Sequence, residues 1–265
     1  MIRPIAFLLI ILVLVIGFCL LLMNKKKEIN LRWEKKLGGV SQGQVSLLTL
    51  YDNYQFDKNL KADWGFSVLV ATRTHKILFD TGADPEILLF NMEKLKVKIE
   101  EIDFVFISHL HQDHTGGLKG ILRKKPELKV YRPDSFAGPQ RIVDGVWTTG
   151  PLGEGVREQS LILETKKGLI IITGCAHPGL VTIVKKAKEI FPQKGVYLVL
   201  GGFHLFEASD FQLKEIVREF RQFKVEKVAP CHCSGDRCRE VFRQEYREDF
   251  VENGVGRRVE GGEES

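Results

Sequence analysis

From Ser108 to Gly117 the chain reads SHLHQDHTGG, and four of these ten residues, His109, His111, Asp113 and His114, carry metal-binding side chains. The whole chain has seven histidines, so three within six positions is a concentration that a solvated loop does not call for. Imidazole and carboxylate are the ligands that borderline divalent ions such as zinc prefer, and manganese or iron fits them too. In an extended segment or tight turn, residues two apart point to one side. His109 and His111 can therefore meet one ion while Asp113 and His114 face a neighbouring site. Gly116 and Gly117 let backbone approach closely. One or two such ions acidify water and neutralise charge on an electrophile's oxygens, which suits phosphate esters, lactones and thioesters.

Strand ends have to deliver these side chains. Phe104 to Ile107 is a short apolar run, read as a buried strand ending at Ser108. Val45 to Leu50 reads as a strand, and Gly65 to Ala71 with Lys76 to Phe79 as a hairpin turning at Thr72 to His75. Pro85 to Leu95 has helical spacing, and a helix is expected from about Thr115. Strands at Lys129 to Tyr131, Ser160 to Leu163, Leu169 to Thr173, Val196 to Leu200 and Lys227 to Ala229 follow, with helices at Leu180 to Ile190 and Phe211 to Phe223. Hairpins first and helix alternation later argue for a layered α/β fold.

HLHQDHTGG resembles the metal-binding signature of the metallo-β-lactamase superfamily, and LFDTG at 78 to 82 resembles the strand-end motif that precedes it. DNY at 52 to 54, WGFSVLV at 64 to 70, TGCAHPG at 173 to 179, GGFHL at 201 to 205 and CHCSG at 231 to 235 resemble the branch named for 7,8-dihydropterin-6-methyl-4-(β-D-ribofuranosyl)aminobenzene 5′-phosphate synthase. The resemblance spans about residues 45 to 245. It implies an αβ/βα four-layer sandwich with a metal site at one edge. By resemblance, His177 is the third ligand of the first metal and His232 completes the second, beside His109, His111, Asp113 and His114. Asp80 supports the centre or acts in catalysis, and His204 is a substrate contact or general acid. Where many superfamily members place a bridging carboxylate, the chain reads Gly174-Cys175-Ala176. Either Cys175 ligates there, or Asp80 and water bridge. Cys231, Cys233 and Cys238 around His232 offer a rival reading as a structural zinc site.

Composition bounds the rest. With 265 residues, 44% of them hydrophobic, and a net charge of +5 spread along the chain, neither disorder nor a nucleic-acid partner is indicated. Five cysteines make a poor disulfide framework at this length. Ile5 to Met23 carries no charge and is long enough to cross a bilayer. Lys25, Lys26, Lys27, Arg32, Lys35 and Lys36 follow it against Arg3 before it, so the positive-inside rule puts the domain in the cytoplasm. The expected organisation is therefore a membrane anchor at 1–27, a linker at 28–44, the catalytic domain at 45–250 and a flexible tail at 251–265, in a single-pass membrane protein. The expected activity is a membrane-anchored metal-dependent hydrolase of a small, anionic, ester-type substrate. The alternatives are a pterin-transferring synthase and, from another class, a non-catalytic membrane-tethered metal or ligand sensor.

Overall fold

The computed structural model describes residues 44–263. Strands β1 (Gln44–Tyr51), β2 (Ser67–Ala71), β3 (Lys76–Phe79), β4 (Phe104–Phe106) and β5 (Lys129–Tyr131) form one sheet with β12 (Arg258–Glu263), in the order β12-β1-β2-β3-β4-β5. Strands β6 (Gln140–Val143), β7 (Val146–Thr148), β8 (Leu161–Thr165), β9 (Gly168–Thr173), β10 (Val196–Gly202) and β11 (Val225–Cys231) form the other, in the order β11-β10-β9-β8-β7-β6. Both sheets are mixed: β3-β4-β5 and β9-β10-β11 pair in parallel and the remaining neighbours antiparallel.

Strands buried on both faces read as continuous apolar runs, as in Leu169 to Ile172. One face of each sheet meets the other sheet through Val68, Phe79, Phe106, Leu161, Ile170 and Leu200. The outer face of the first sheet is covered by α1 (Pro85–Lys94) and α3 (Leu118–Lys124), through Leu88, Met92 and Ile121. That of the second is covered by α4 (Leu180–Ile190), α5 (Asp210–Gln222) and α6 (Asp236–Tyr246), through Ile183, Val184, Leu213, Phe220 and Phe242. Helix, sheet, sheet, helix is the expected four-layer sandwich.

Three expectations change. The helix expected from about Thr115 is two: α2 (Gln112–Thr115) and α3, broken at Gly116-Gly117. There a Cβ would fall 1.9 Å from the Ala83 carbonyl oxygen and 2.1 Å from that of Thr81, so only glycine allows this approach. The flexible tail from 251 is instead integral, since β12 pairs along β1 and buried Asn253 accepts from Thr49 Oγ1 at 2.8 Å. Its glycines and charges mark an edge strand with one wet face. The membrane span at Ile5 to Met23 lies outside the described residues. Among those, no helix is long and apolar enough to cross a membrane; the longest, α5, has 13 residues, about 20 Å against a core of about 30 Å. The expected single-pass membrane placement is corrected to this: it has no support among the described residues.

Candidate metal centre

Strands β1, β3, β4, β9, β10 and β11 all end at the same edge, and every expected site residue lies just beyond one of those ends. Asp80 follows β3, the segment His109–His114 follows β4, Cys175 and His177 follow β9, His204 follows β10 and His232 follows β11. Among the described residues, four of the seven non-glycine residues with positive φ, Asp80, Ala176, His204 and His232, fall at these ends. Backbone strain of that kind persists where surrounding structure over-determines it.

The ligand atoms converge in overlapping groups. Asp113, His114, Cys175 and His232 place one donor atom each within 4.8 Å of one another, and so do His109, Cys175 and His177, as well as His109, His111 and Asp113. His109 Nε2 lies 3.1 Å from His111 Nδ1, and His114 Nε2 lies 3.2 Å from both His232 Nε2 and Cys175 Sγ. Asp113 Oδ2 is 3.2 Å from His232 Nε2 and 3.6 Å from His114 Nε2. Cys175, Asp113 and His109 each belong to more than one of these groups, so the groups overlap there, and Cys175 joins the His109–His177 group to that of Asp113, His114 and His232.

The outer contacts determine what those inner atoms are. Ser108 Oγ donates to Asp80 Oδ2 at 2.6 Å, so the same oxygen accepts from His109 Nδ1 at 2.9 Å. His114 Nδ1 donates to Asp80 Oδ2 at 2.7 Å, His177 Nδ1 to Glu158 Oε2 at 2.8 Å and His232 Nδ1 to Asn53 Oδ1 at 3.2 Å. With Nδ1 carrying the proton, the Nε2 atoms of His109, His114 and His177 turn lone pairs inward, while His232 Nε2 donates to Asp113 Oδ2 at 3.2 Å. Facing lone pairs about 3 Å apart repel without a cation between them, and neutral imidazole, carboxylate and thiol sulfur are ligands for such a cation. The donor set therefore fits a divalent metal ion.

Burial, and then the neighbouring His114 and His232 respectively, pull His109 and His114 down to about 3, so both are neutral at physiological pH. Burial pushes Asp113 up, but the His232 hydrogen bond and the nearby imidazoles outweigh it and hold the carboxyl below the usual range. Burial pushes Asp80 up to about 8, against its contacts with His109 and Ser108. A hydrogen bond to Cys233, together with burial, pushes the Cys175 thiol far up.

Several residues at the centre had no role assigned from sequence. Glu158 is buried, accepting from the backbone N–H groups of Gly174, Cys175, Ala176 and His177 at 2.9–3.0 Å while receiving His177 Nδ1. Burial pushes this carboxyl up, but those bonds, with His177's first, bring it down to about 2. Trp64 Nε1 donates to Asp113 Oδ2 at 3.1 Å. Cys233 groups with Cys175 and His204. A Cβ at Gly202 would lie 2.7 Å from the Cys233 sulfur, so glycine makes room for it. The three late cysteines do not converge: Cys231 packs between the sheets, Cys238 packs under the outer helices, and Cys233 faces the centre.

Residues 63–184 match the family model described as the metallo-beta-lactamase superfamily. A curated relative, 7,8-dihydropterin-6-methyl-4-(beta-D-ribofuranosyl)-aminobenzene-5′-phosphate synthase of Methanocaldococcus jannaschii, is 28% identical over 78% of this chain and 93% of its own length. Among solved structures, Tm1679, a metal-dependent hydrolase of the beta-lactamase superfamily, superposes with a TM-score of 0.71 at 27% identity, over 83% of this chain and all of its own. The metallo-beta-lactamase fold protein YhfI from Bacillus subtilis superposes at 0.62 with 14% identity, over 83% of this chain and all of its own.

Proposed function

Because the chain belongs to the metallo-beta-lactamase superfamily, we propose that its strand-end centre holds one or two divalent ions and hydrolyses an ester-type substrate: a phosphoester, lactone or thioester. The observation that carries this reading is the inward convergence of His109, His111, Asp113, His114, His177 and His232 around Cys175. His109, His111 and His177 would hold one ion and Asp113, His114 and His232 the other, with Cys175 beside both sets. Ions there supply Lewis acidity, acidifying water and neutralising charge on substrate oxygens.

The chain's own residues do the rest. Asp113, held by Trp64 and His232, presents a carboxylate oxygen that orients the attacking water. Asp80, Ser108, Glu158 and Asn53 keep each imidazole in one tautomer. His204 is exposed at the mouth, its ring centroid 4.7 Å from that of His177, and its hydrogen bond to Cys233 raises its affinity for a proton. It donates that proton to the leaving oxygen. The substrate is a small organic anion.

A second reading, pterin synthase chemistry at the same site, is favoured by the relatedness to the Methanocaldococcus enzyme over most of both chains. The test is elemental analysis of the full chain and of the His111→Ala, Asp113→Ala variant, with bis(4-nitrophenyl) phosphate and a simple lactone as substrates. Near two metals per chain, lost together with hydrolysis in the variant, supports the hydrolase. Metal bound without hydrolysis of any ester moves the assignment to the synthase.

A further inference from the structure

A cavity of about 360 Å³ opens beside His111. Leu110, Pro133 and Asp134 line it along with Val156 and Arg157, on the loop between β7 and β8. That loop has a fixed base, because Leu152 and Glu158 exchange both backbone hydrogen bonds, at 2.8 and 3.0 Å, and Glu158 is tied to the end of β9. Arg157 is thus presented from a pinned residue next to the centre's own support. Among the described residues, neither Arg157 nor Asp134 makes a hydrogen bond or ion pair, although both line this cavity.

We infer that this cavity is a substrate-binding subsite in which Arg157 receives an anionic group remote from the reacting bond, while Asp134 receives a hydroxyl or amine on the same molecule. This rests on the reading of the adjoining centre as a metal site. A guanidinium is a rigid fork that matches carboxylate or phosphate through paired N–H donors. An ionised carboxylate only accepts, so Asp134 selects a donor and disfavours a second anion. Leu110, Pro133 and Val156 supply apolar wall for a short carbon skeleton, and the volume suits a small molecule. His111 lines the cavity too, so one ligand reaches the subsite and the centre together. The substrate class is a hydroxylated or aminated organic anion whose charged end lies a few carbons from the group attacked.

The test is calorimetric binding to the full-length, zinc-loaded protein of two probes, 3-phosphoglycerate and glycerol 3-phosphate. Both carry a phosphate for the metals and a hydroxyl; only the first adds a carboxylate. The protein should bind 3-phosphoglycerate about tenfold more tightly, or about 1.4 kcal/mol. Arg157→Ala should bind both probes alike with zinc content unchanged, and Arg157→Lys should keep part of the preference. Absence of the preference in the unaltered protein, or its survival in Arg157→Ala, overturns the subsite. If Arg157→Ala binds less zinc, Arg157→Gln is read by the same criterion. Turnover is not part of the readout: preference without hydrolysis upholds the subsite and counts against the hydrolase, and hydrolysis without preference does the reverse.

Discussion

The centre is assembled from two halves built in opposite ways. The first sheet contributes His109, His111, Asp113 and His114 from six consecutive positions after β4. The second contributes Cys175, His177, His204 and His232 from the ends of three strands spread over 58 residues. The dense half is local, and its geometry follows from one loop and the turn of α2. The dispersed half is set by parallel pairing of β9, β10 and β11, which brings three C-terminal ends to one edge. A local cluster is therefore vulnerable to loss of its own ligands, and a dispersed one to loss of whatever aligns the strand ends.

The strongest challenge to this contrast is the His111→Ala, Asp113→Ala variant, which takes a ligand from each metal group while leaving the dispersed half intact. Metal content should fall to less than one per chain and any hydrolysis by at least about 10³-fold, beyond the loss of one preorganised contact. Elemental analysis and initial rates check it. Retention of a full metal complement would show that the dispersed half suffices.

Glu158→Gln tests the other half through a residue that touches no metal. Its carboxylate gathers four backbone N–H groups and His177, so the amide should misalign the end of β9 and leave buried donors poorly paired. The expected cost is about 3 kcal/mol of stability and 10–100-fold in metal affinity. Thermal melting of chelator-treated protein and metal competition measure the two separately. An unchanged affinity would remove Glu158 from the organisation of the site.

The same contrast explains what sequence could and could not reveal. HLHQDH was legible because its ligands sit side by side after an apolar strand. His177, His204 and His232 were isolated histidines whose convergence depends on topology, so family resemblance alone pointed to them. Glu158 carried no signal at all: it stands in GEGVREQS beside Glu154 and Arg157, and only burial distinguishes it from a surface acid. The layers were readable from apolar runs, whereas β6, β7, α6 and β12 were not, because short edge strands and a helix rich in charge resemble loops. The position of Cys175 beside both ligand sets required the distance between groups that are far apart in the chain.

That sulfur also predicts a pH dependence. A thiol held far above its usual range is protonated at neutral pH and must lose the proton to ligate, whereas His109 and His114, lowered to about 3, are already neutral. Metal uptake should then release one proton from Cys175, and affinity should rise about tenfold per pH unit between about pH 7 and 8. Chelator competition across that range measures the slope. Cys175→Ser should flatten it, and an equal slope in the variant would place the proton elsewhere.

The smallest effect is expected where a single exposed contact joins the halves. Trp64 is about half exposed (51%), and its indole donates one hydrogen bond to Asp113 Oδ2, the oxygen that also meets His232 across the junction. Trp64→Phe removes that bond and keeps most of the ring against His232, whose centroid is 4.9 Å away. Because His232 and His114 still hold the carboxylate low, the loss should approach that of one ordinary hydrogen bond, about 1 kcal/mol. That is about fivefold in affinity for the ion on the Asp113 side, with a smaller effect on the other, whose ligands His109 and His111 also lie near Asp113. Stepwise metal titration resolves the two. Equal weakening of both would mean that Trp64 supports the edge as a whole rather than the Asp113 side of it.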